Sequence, residues 1–181
     1  MKNITIFMLT VIFFLGCKEL EPRRPINKQK QFFLKESAIR NKNTLSVEQT
    51  LFRKIIKQEQ NLEFKISPKG FWYAFKKENN ESLFVPERGD RVTFSYRIED
   101  LNENLLYDEA ALGVVSFFVD QEDLIPALRE GIKVMKSGDV AVFLFPSYLC
   151  FGYQGDGDKI GINQPLRFTI ELLKLEKNKN P

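Results

Sequence analysis

The sequence contains no histidine among its 181 residues. That absence removes the Ser/His/Asp and Cys/His arrangements, the usual zinc constellations and the commonest general base. Cysteine is scarce too, at Cys17 and Cys150 only. Excess charge of one sign is also lacking: 27 Lys and Arg against 24 Asp and Glu leave +3, too little to argue for a nucleic-acid partner. Whatever chemistry is done here must use little proton transfer, and neither a metal nor a cofactor is expected. Phenylalanine is plentiful, with 17 residues in a hydrophobic content of 43%, enough for a real core. The length suits one full domain with an appendage rather than two large domains.

Met1 to Leu15 reads MKNITIFMLTVIFFL. One Lys precedes an apolar stretch of about a dozen residues, shorter than the roughly 20 that a spanning helix needs. The pattern is that of a secretory signal. Phe14-Leu15-Gly16-Cys17 then resembles the bacterial lipobox, although Phe14 is bulkier than the usual Leu. The resemblance implies cleavage after Gly16 and lipidation of Cys17; the plain alternative is an ordinary signal with an incidental Cys. Acyl chains bury methylenes at about 0.8 kcal/mol each, so two or three together hold a protein to a membrane. A lipidated Cys17 leaves Cys150 no intramolecular disulfide partner, and the core alone must hold the fold. Lys18 and Glu19 follow Cys17 without an Asp, which implies the outer membrane facing the periplasm. The KELE run partly resembles a surface-export signal, which keeps the cell surface as an alternative.

Four segments are expected: a signal peptide over 1–16, a tether over 17–31, a helical extension with leading strands over 32–88, and a domain over 89–177. In the tether, Pro22 and Pro25 favour extended chain. Between Phe32 and Asn61 the pattern turns helical, with Ser46 and Gln49 as a capping box and Leu51, Phe52, Ile55 and Ile56 on one face. That stripe suits packing on the neighbouring domain, or else a partner. Leu62, Phe64 and Ile66 alternate as a strand, Ser67-Pro68-Lys69-Gly70 turns, and Phe71 to Phe75 resumes extended structure. From Gly89 strands become frequent: Val92 to Ile98, Val114 to Val119, Val140 to Phe145 and Leu166 to Leu175. Asp123 and Pro126 open a short helix with Leu128, Ile132 and Met135 inward, and Ser137-Gly138-Asp139 ends it. The fold class is α+β, an antiparallel sheet curled over one short helix and preceded by a helical extension.

Several runs, in order, resemble the FKBP family of peptidyl-prolyl cis-trans isomerases: GDRVTFSY, LLYDEA, LIPALREGIKVMKSGD, LFPSYLCFGYQG and PLRFTIELLKLE. They cover roughly half of the chain. The resemblance implies a prolyl pocket in which Tyr96, Asp108 and Phe151 hold the catalytic positions. Tyr107, Val115, Leu124, Ile125, Leu128, Ile160 and Phe168 would line the substrate site. It further implies Asp108 at the pocket floor, hydrogen-bonded to Tyr96, beside a concavity at Leu128 and Phe168. Three positions depart from the family pattern. Leu128 stands where most members have Trp, Val115 where many have Phe, and Phe151 where a tyrosine donates to a substrate carbonyl. One lost hydrogen bond costs about 0.5–1.5 kcal/mol, so catalysis is expected to be weak but measurable.

EPRRPI, FFLKESAIRNK and GFWY ahead of the domain, with LFPSYLCFGYQG and KIGINQP within it, resemble FKBP-like lipoproteins associated with gliding motility in Bacteroidetes. That implies proline-containing envelope proteins as substrates and a membrane held through the lipid anchor. The rival function is a non-catalytic chaperone or structural lipoprotein that uses the same pocket for binding. Gly155-Asp156-Gly157-Asp158 looks superficially like a calcium or dinucleotide loop but lacks the terminal Glu and the glycine spacing. A flexible loop over the pocket is the expectation there.

Overall fold

The change of hydrophobic period near residue 60 marks where helix gives way to sheet. The structure, a computed structural model, describes residues 28–178. The expected signal peptide, Cys17 and the expected tether up to residue 27 lie outside the described residues. The chain divides into two compact units, Met1–Ala38 and Ile39–Pro181. In the first, the start of helix α1 (Lys28–Gln58) exposes Phe32, Phe33 and Leu34 to solvent. No helix among the described residues is long and apolar enough to cross a membrane.

In the second unit the strands are β1 (Lys65–Ile66), β2 (Trp72–Lys77), β3 (Arg91–Glu99), β4 (Leu105–Tyr107), β5 (Val115–Phe118), β6 (Val140–Phe145) and β7 (Leu166–Glu176). They form one antiparallel sheet in the order β1-β2-β6-β7-β3-β4, with β5 also paired to β3. The long β3 pairs along its whole length with β7, while β5 takes its first half and β4 its last two residues. The leading strands are therefore hydrogen-bonded into the same sheet as the domain they precede.

Side chains alternate across a strand, and cross-strand partners share a face. One face carries Tyr73, Phe143, Phe168 and Ile98 as one ladder and Phe75, Ala141, Ile170 and Tyr96 as the next. Rings run across this face from Phe71 to Phe145 (5.0 Å), Phe168 (5.3 Å), Tyr96 (6.0 Å), Phe94 (5.7 Å) and Phe117 (6.0 Å). Against it lies α3 (Pro126–Ile132), with Leu128 and Ile132 buried. Pro126 sits where no donor is wasted. A Cβ on Gly131 would meet the Phe145 ring at 2.9 Å, so only glycine lets this helix come so close. Met135 is buried just past the helix end.

The opposite face carries Trp72, Leu144, Arg167 and Glu99 in one ladder and Ala74, Val142, Thr169 and Arg97 in another. Ala74, Val142 and Leu144 are buried although they point away from the ring-filled core. Helix α1 covers them: Gln49 Oε1 accepts from Trp72 Nε1 (2.8 Å), and Glu59, just beyond the helix, pairs with Arg167. Phe52 is fully buried between these contacts, and Ile55 and Ile56 are half-buried.

Four local expectations change. Helix α1 runs through Ser46, which therefore caps nothing; Gln49 spends its amide on Gly70 O (2.9 Å) and Trp72 instead. Leu51 faces solvent. The strand expected over Leu62 to Ile66 shrinks to Lys65–Ile66, since β1 is an edge with only β2 as partner. Asp123 is not the cap of α3: Ile125 takes the N-cap without a side-chain bond.

Candidate prolyl-binding site

The residues expected to form the pocket come from β3, β4, β5, β7, α3 and the loops beside them. Leu128 on α3, Phe168 on β7 and Ile160 in the long loop between β6 and β7 are buried in one core cluster. Tyr96, Tyr107, Val115, Leu124, Ile125 and Phe151 are half-buried and packed against it. Nine of these apolar or aromatic positions thus join one cluster, three as a floor and six with a packed side and a wet side. Tyr96 stands edge-on to Phe168 at 6.0 Å, Val115 pairs with Phe94, and Tyr107 pairs with Ile98. Burial pushes the Tyr96 phenol above its ordinary pKa. A half-buried aromatic presents a flat apolar surface at little cost in rotamer freedom, which suits a proline ring.

Asp108 is the correction. Its side chain is exposed, and its Oδ1 accepts from the Ala111 N–H at 2.7 Å, capping the short helix α2 (Glu109–Leu112). It does not sit at the floor bonded to Tyr96, whose hydroxyl has no protein hydrogen bond among the described residues. The reason is local: an Asp ahead of a helical turn finds an N–H two or three residues on, and a solvated cap costs less than a buried carboxylate. Among the described residues, Asp108 Oδ2 has no protein partner.

The loop expected to be flexible is instead tied down. Asp156 accepts from the Tyr107 hydroxyl at 2.6 Å and from the Asp158 and Ile160 amides at 2.9 and 2.8 Å. Lys159 lies 4.7 Å over the Tyr107 ring and donates to Leu106 O at 2.9 Å. Bonding to the Asp156 carboxylate is the main reason that the Tyr107 phenol is pushed up to about 12. Slight desolvation would raise the Asp156 pKa, but the bonds from Tyr107 and the two amides prevail and lower it. The tie recruits the residues set aside as a false calcium loop. An Asp bonding its own backbone two residues on was the signal that could have revealed it. No group of His, Cys, Asp or Glu among the described residues is arranged to hold a metal ion.

A concavity of about 310 Å³ opens between α1 and the turn after β3, lined by Ile55, Gln58, Glu59, Leu101, Asn102 and Glu103. It lies at the edge of the face that α1 covers and shares no residue with the set above.

The profile of the FKBP-type peptidyl-prolyl cis-trans isomerase family matches residues 85–173. A protein of Neisseria meningitidis serogroup B, described as a probable FKBP-type peptidyl-prolyl cis-trans isomerase FkpA, is 33% identical over 118 residues. That match covers 64% of this chain and 42% of the relative, so the chain spans about two fifths of that protein. Among solved structures, a peptidyl-prolyl cis-trans isomerase from Pseudomonas syringae pv. tomato aligns with a TM-score of 0.59 at 20% identity, over 75% of this chain and 96% of that one. FkpA from Escherichia coli aligns with a TM-score of 0.58 at 22% identity, over 97% and 82%. At those identities the structures speak for the fold alone. Residues 85–173 form a domain of the FKBP-type peptidyl-prolyl isomerase family.

Proposed function

We propose that the chain is a peptidyl-prolyl cis-trans isomerase that works on proline-containing proteins of the cell envelope, anchored through a lipidated Cys17. The observation that carries the catalytic part is the set of six half-buried apolar and aromatic side chains packed against Leu128, Ile160 and Phe168, in a domain of this family. The envelope address rests on the signal-like start and the lipobox-like Gly16-Cys17. The resemblance of the flanking runs to motility-associated lipoproteins supports a role beside gliding components, at the outer membrane facing the periplasm or at the cell surface.

The chemistry follows from the amide. Rotation about X-Pro faces a barrier of roughly 18–20 kcal/mol because the twisted state loses resonance. The twisted carbonyl is less polarised than the planar one and gives up less on leaving water. An apolar site therefore favours it without a nucleophile. A thousandfold acceleration takes about 4 kcal/mol of differential stabilisation. Here Phe168, Leu128 and Ile160 would seat the ring, with Tyr96, Tyr107, Val115, Leu124, Ile125 and Phe151 around it. Phe151 brings no donor to the substrate carbonyl, and Asp108 contributes only the Oδ2 not used in capping.

The decisive experiment is cis/trans exchange of a proline peptide with the mature chain. Acceleration is expected, and Phe151→Tyr should raise kcat/KM about tenfold by restoring one donor. No acceleration with peptide still bound would support the second reading, a chaperone that holds proline segments. The capping of α2 by Asp108 and the missing Phe151 hydroxyl favour that reading.

A further inference from the structure

The loop that carries Phe151 and Ile160 leaves β6 through a 3-10 turn at Ser147–Leu149. That turn is held from outside the FKBP-type segment. Ser147 donates its hydroxyl to Glu48 Oε1 at 2.5 Å and its backbone N–H to Glu48 Oε2 at 3.2 Å. Both residues are 3% exposed, and 99 positions separate them. Burial raises the Glu48 pKa beyond what the two Ser147 bonds can offset. Burying a carboxylate is costly even when it is bonded. Attaching α1 to the sheet needs no such group, because Phe52, one turn later, is fully buried. What the carboxylate adds is direction: two acceptors grip both donors of one residue and fix its orientation.

From Ser147 the constraint passes into the site. Ser147 O accepts from the amides of Cys150 (3.0 Å) and Gly152 (2.9 Å), and Gly152 O accepts from Asn163 N–H (2.6 Å), closing the neck of the loop. Phe151 lies between those two amides. A second strut runs in parallel. Tyr148 donates to Lys69 O at 2.7 Å, and the next carbonyl, Gly70 O, accepts from Gln49 beside Glu48. A Cβ at Gly70 would lie 2.8 Å from the Tyr148 hydroxyl, and its φ is +87°, so glycine alone fits this junction.

We infer that Glu48 is a positioning residue for the prolyl site: by gripping Ser147 it sets the placement of Phe151 and the neck of the loop. Helix α1 is then part of the apparatus that shapes the site, rather than a spacer ahead of it. The inference rests on the isomerase reading where it concerns catalysis; its structural half stands apart.

The test uses the whole mature chain and three variants: Glu48→Ala, Glu48→Gln and Ser147→Ala. Amide hydrogen exchange is followed residue by residue, alongside proline-exchange kinetics. Glu48→Ala should speed exchange at Cys150, Gly152 and Asn163 at least about tenfold, with the central amides of β3 and β7 unchanged within about twofold. The kcat/KM should fall about tenfold, mostly through KM. Glu48→Gln, which keeps one acceptor, should fall between. If Glu48→Ala does not fold, Ser147→Ala must show the same local pattern at smaller amplitude. Unchanged exchange at the three amides, or a loss of protection spread evenly over the sheet, overturns the inference. A parent chain that neither catalyses nor binds peptide overturns the isomerase reading instead, and the exchange pattern alone then decides the role of Glu48.

Discussion

The two faces of the sheet are held by different physics. The face under α3 is a continuous field of rings and aliphatic side chains, with Phe71, Phe145, Phe168, Tyr96, Phe94 and Phe117 in sequence. The face under α1 is mixed, and its contacts are directional: Glu48 to Ser147, Gln49 to Trp72, Glu59 to Arg167. Arg167 is 5% exposed and also lies 3.6 Å from Glu99, which in turn lies 3.4 Å from Arg97. Arg97 Nε, Glu99 Oε2 and Thr169 Oγ1 are buried there without a hydrogen bond. Apolar burial supplies most of the cohesion and tolerates adjustment, as the proposed site, meant to accept different sequences around a proline, would require. Polar clamps supply less net energy but only one way of fitting, which suits the docking of a helix in a single register.

The contrast predicts a ranking. Phe168→Ala, at the floor of the ring-filled face, should cost about 3–5 kcal/mol, read as a lowered denaturant midpoint at constant slope. A loss under about 1 kcal/mol would mean that the core does not depend on this ring. Glu59→Ala leaves Arg167 buried beside Glu99 and Glu103 only, and should cost about 1.5–3 kcal/mol. An unchanged midpoint would show the α1 clamp to be ornamental.

The smallest effect concerns acid. Desolvation would raise the Asp90 pKa, but bonds from the Asn178 and Glu87 amides and from Lys177 outweigh it and hold the carboxyl below its ordinary value. A lowered folded-state pKa stabilises the fold above the unfolded value and loses that contribution as pH falls through the folded one. Asp90→Asn should therefore cost about 1 kcal/mol near neutrality, a difference that closes as pH falls below the ordinary carboxylate range and through the lowered folded-state value. A difference independent of pH would remove the charge from the explanation.

Much of the ring-filled face was legible. Alternation located β3 and β7 within a residue or so, and an unbroken apolar run located β6, which is buried on both faces. Pro126 announced α3. Polar residues were harder to read, because their partners lie far away along the chain. Nothing in the sequence ties Glu48 to Ser147, 99 positions on, and the capping-box reading of Gln49 gives way to its bond with Trp72. Asp108 failed for a related reason: the family pattern names a residue type, while the neighbouring Glu109–Leu112 turn offered its carboxylate a cheaper partner. Asp156 was dismissed as part of a false motif and turned out to fasten Tyr107.

Trp72 is the only tryptophan, and its indole N–H is bonded to α1, while the candidate site has Leu128 and no tryptophan of its own. Tryptophan fluorescence, excited apart from the tyrosines, will therefore follow α1 lifting away. For this chain, the optical signal usually used to follow unfolding reports on the seating of one helix.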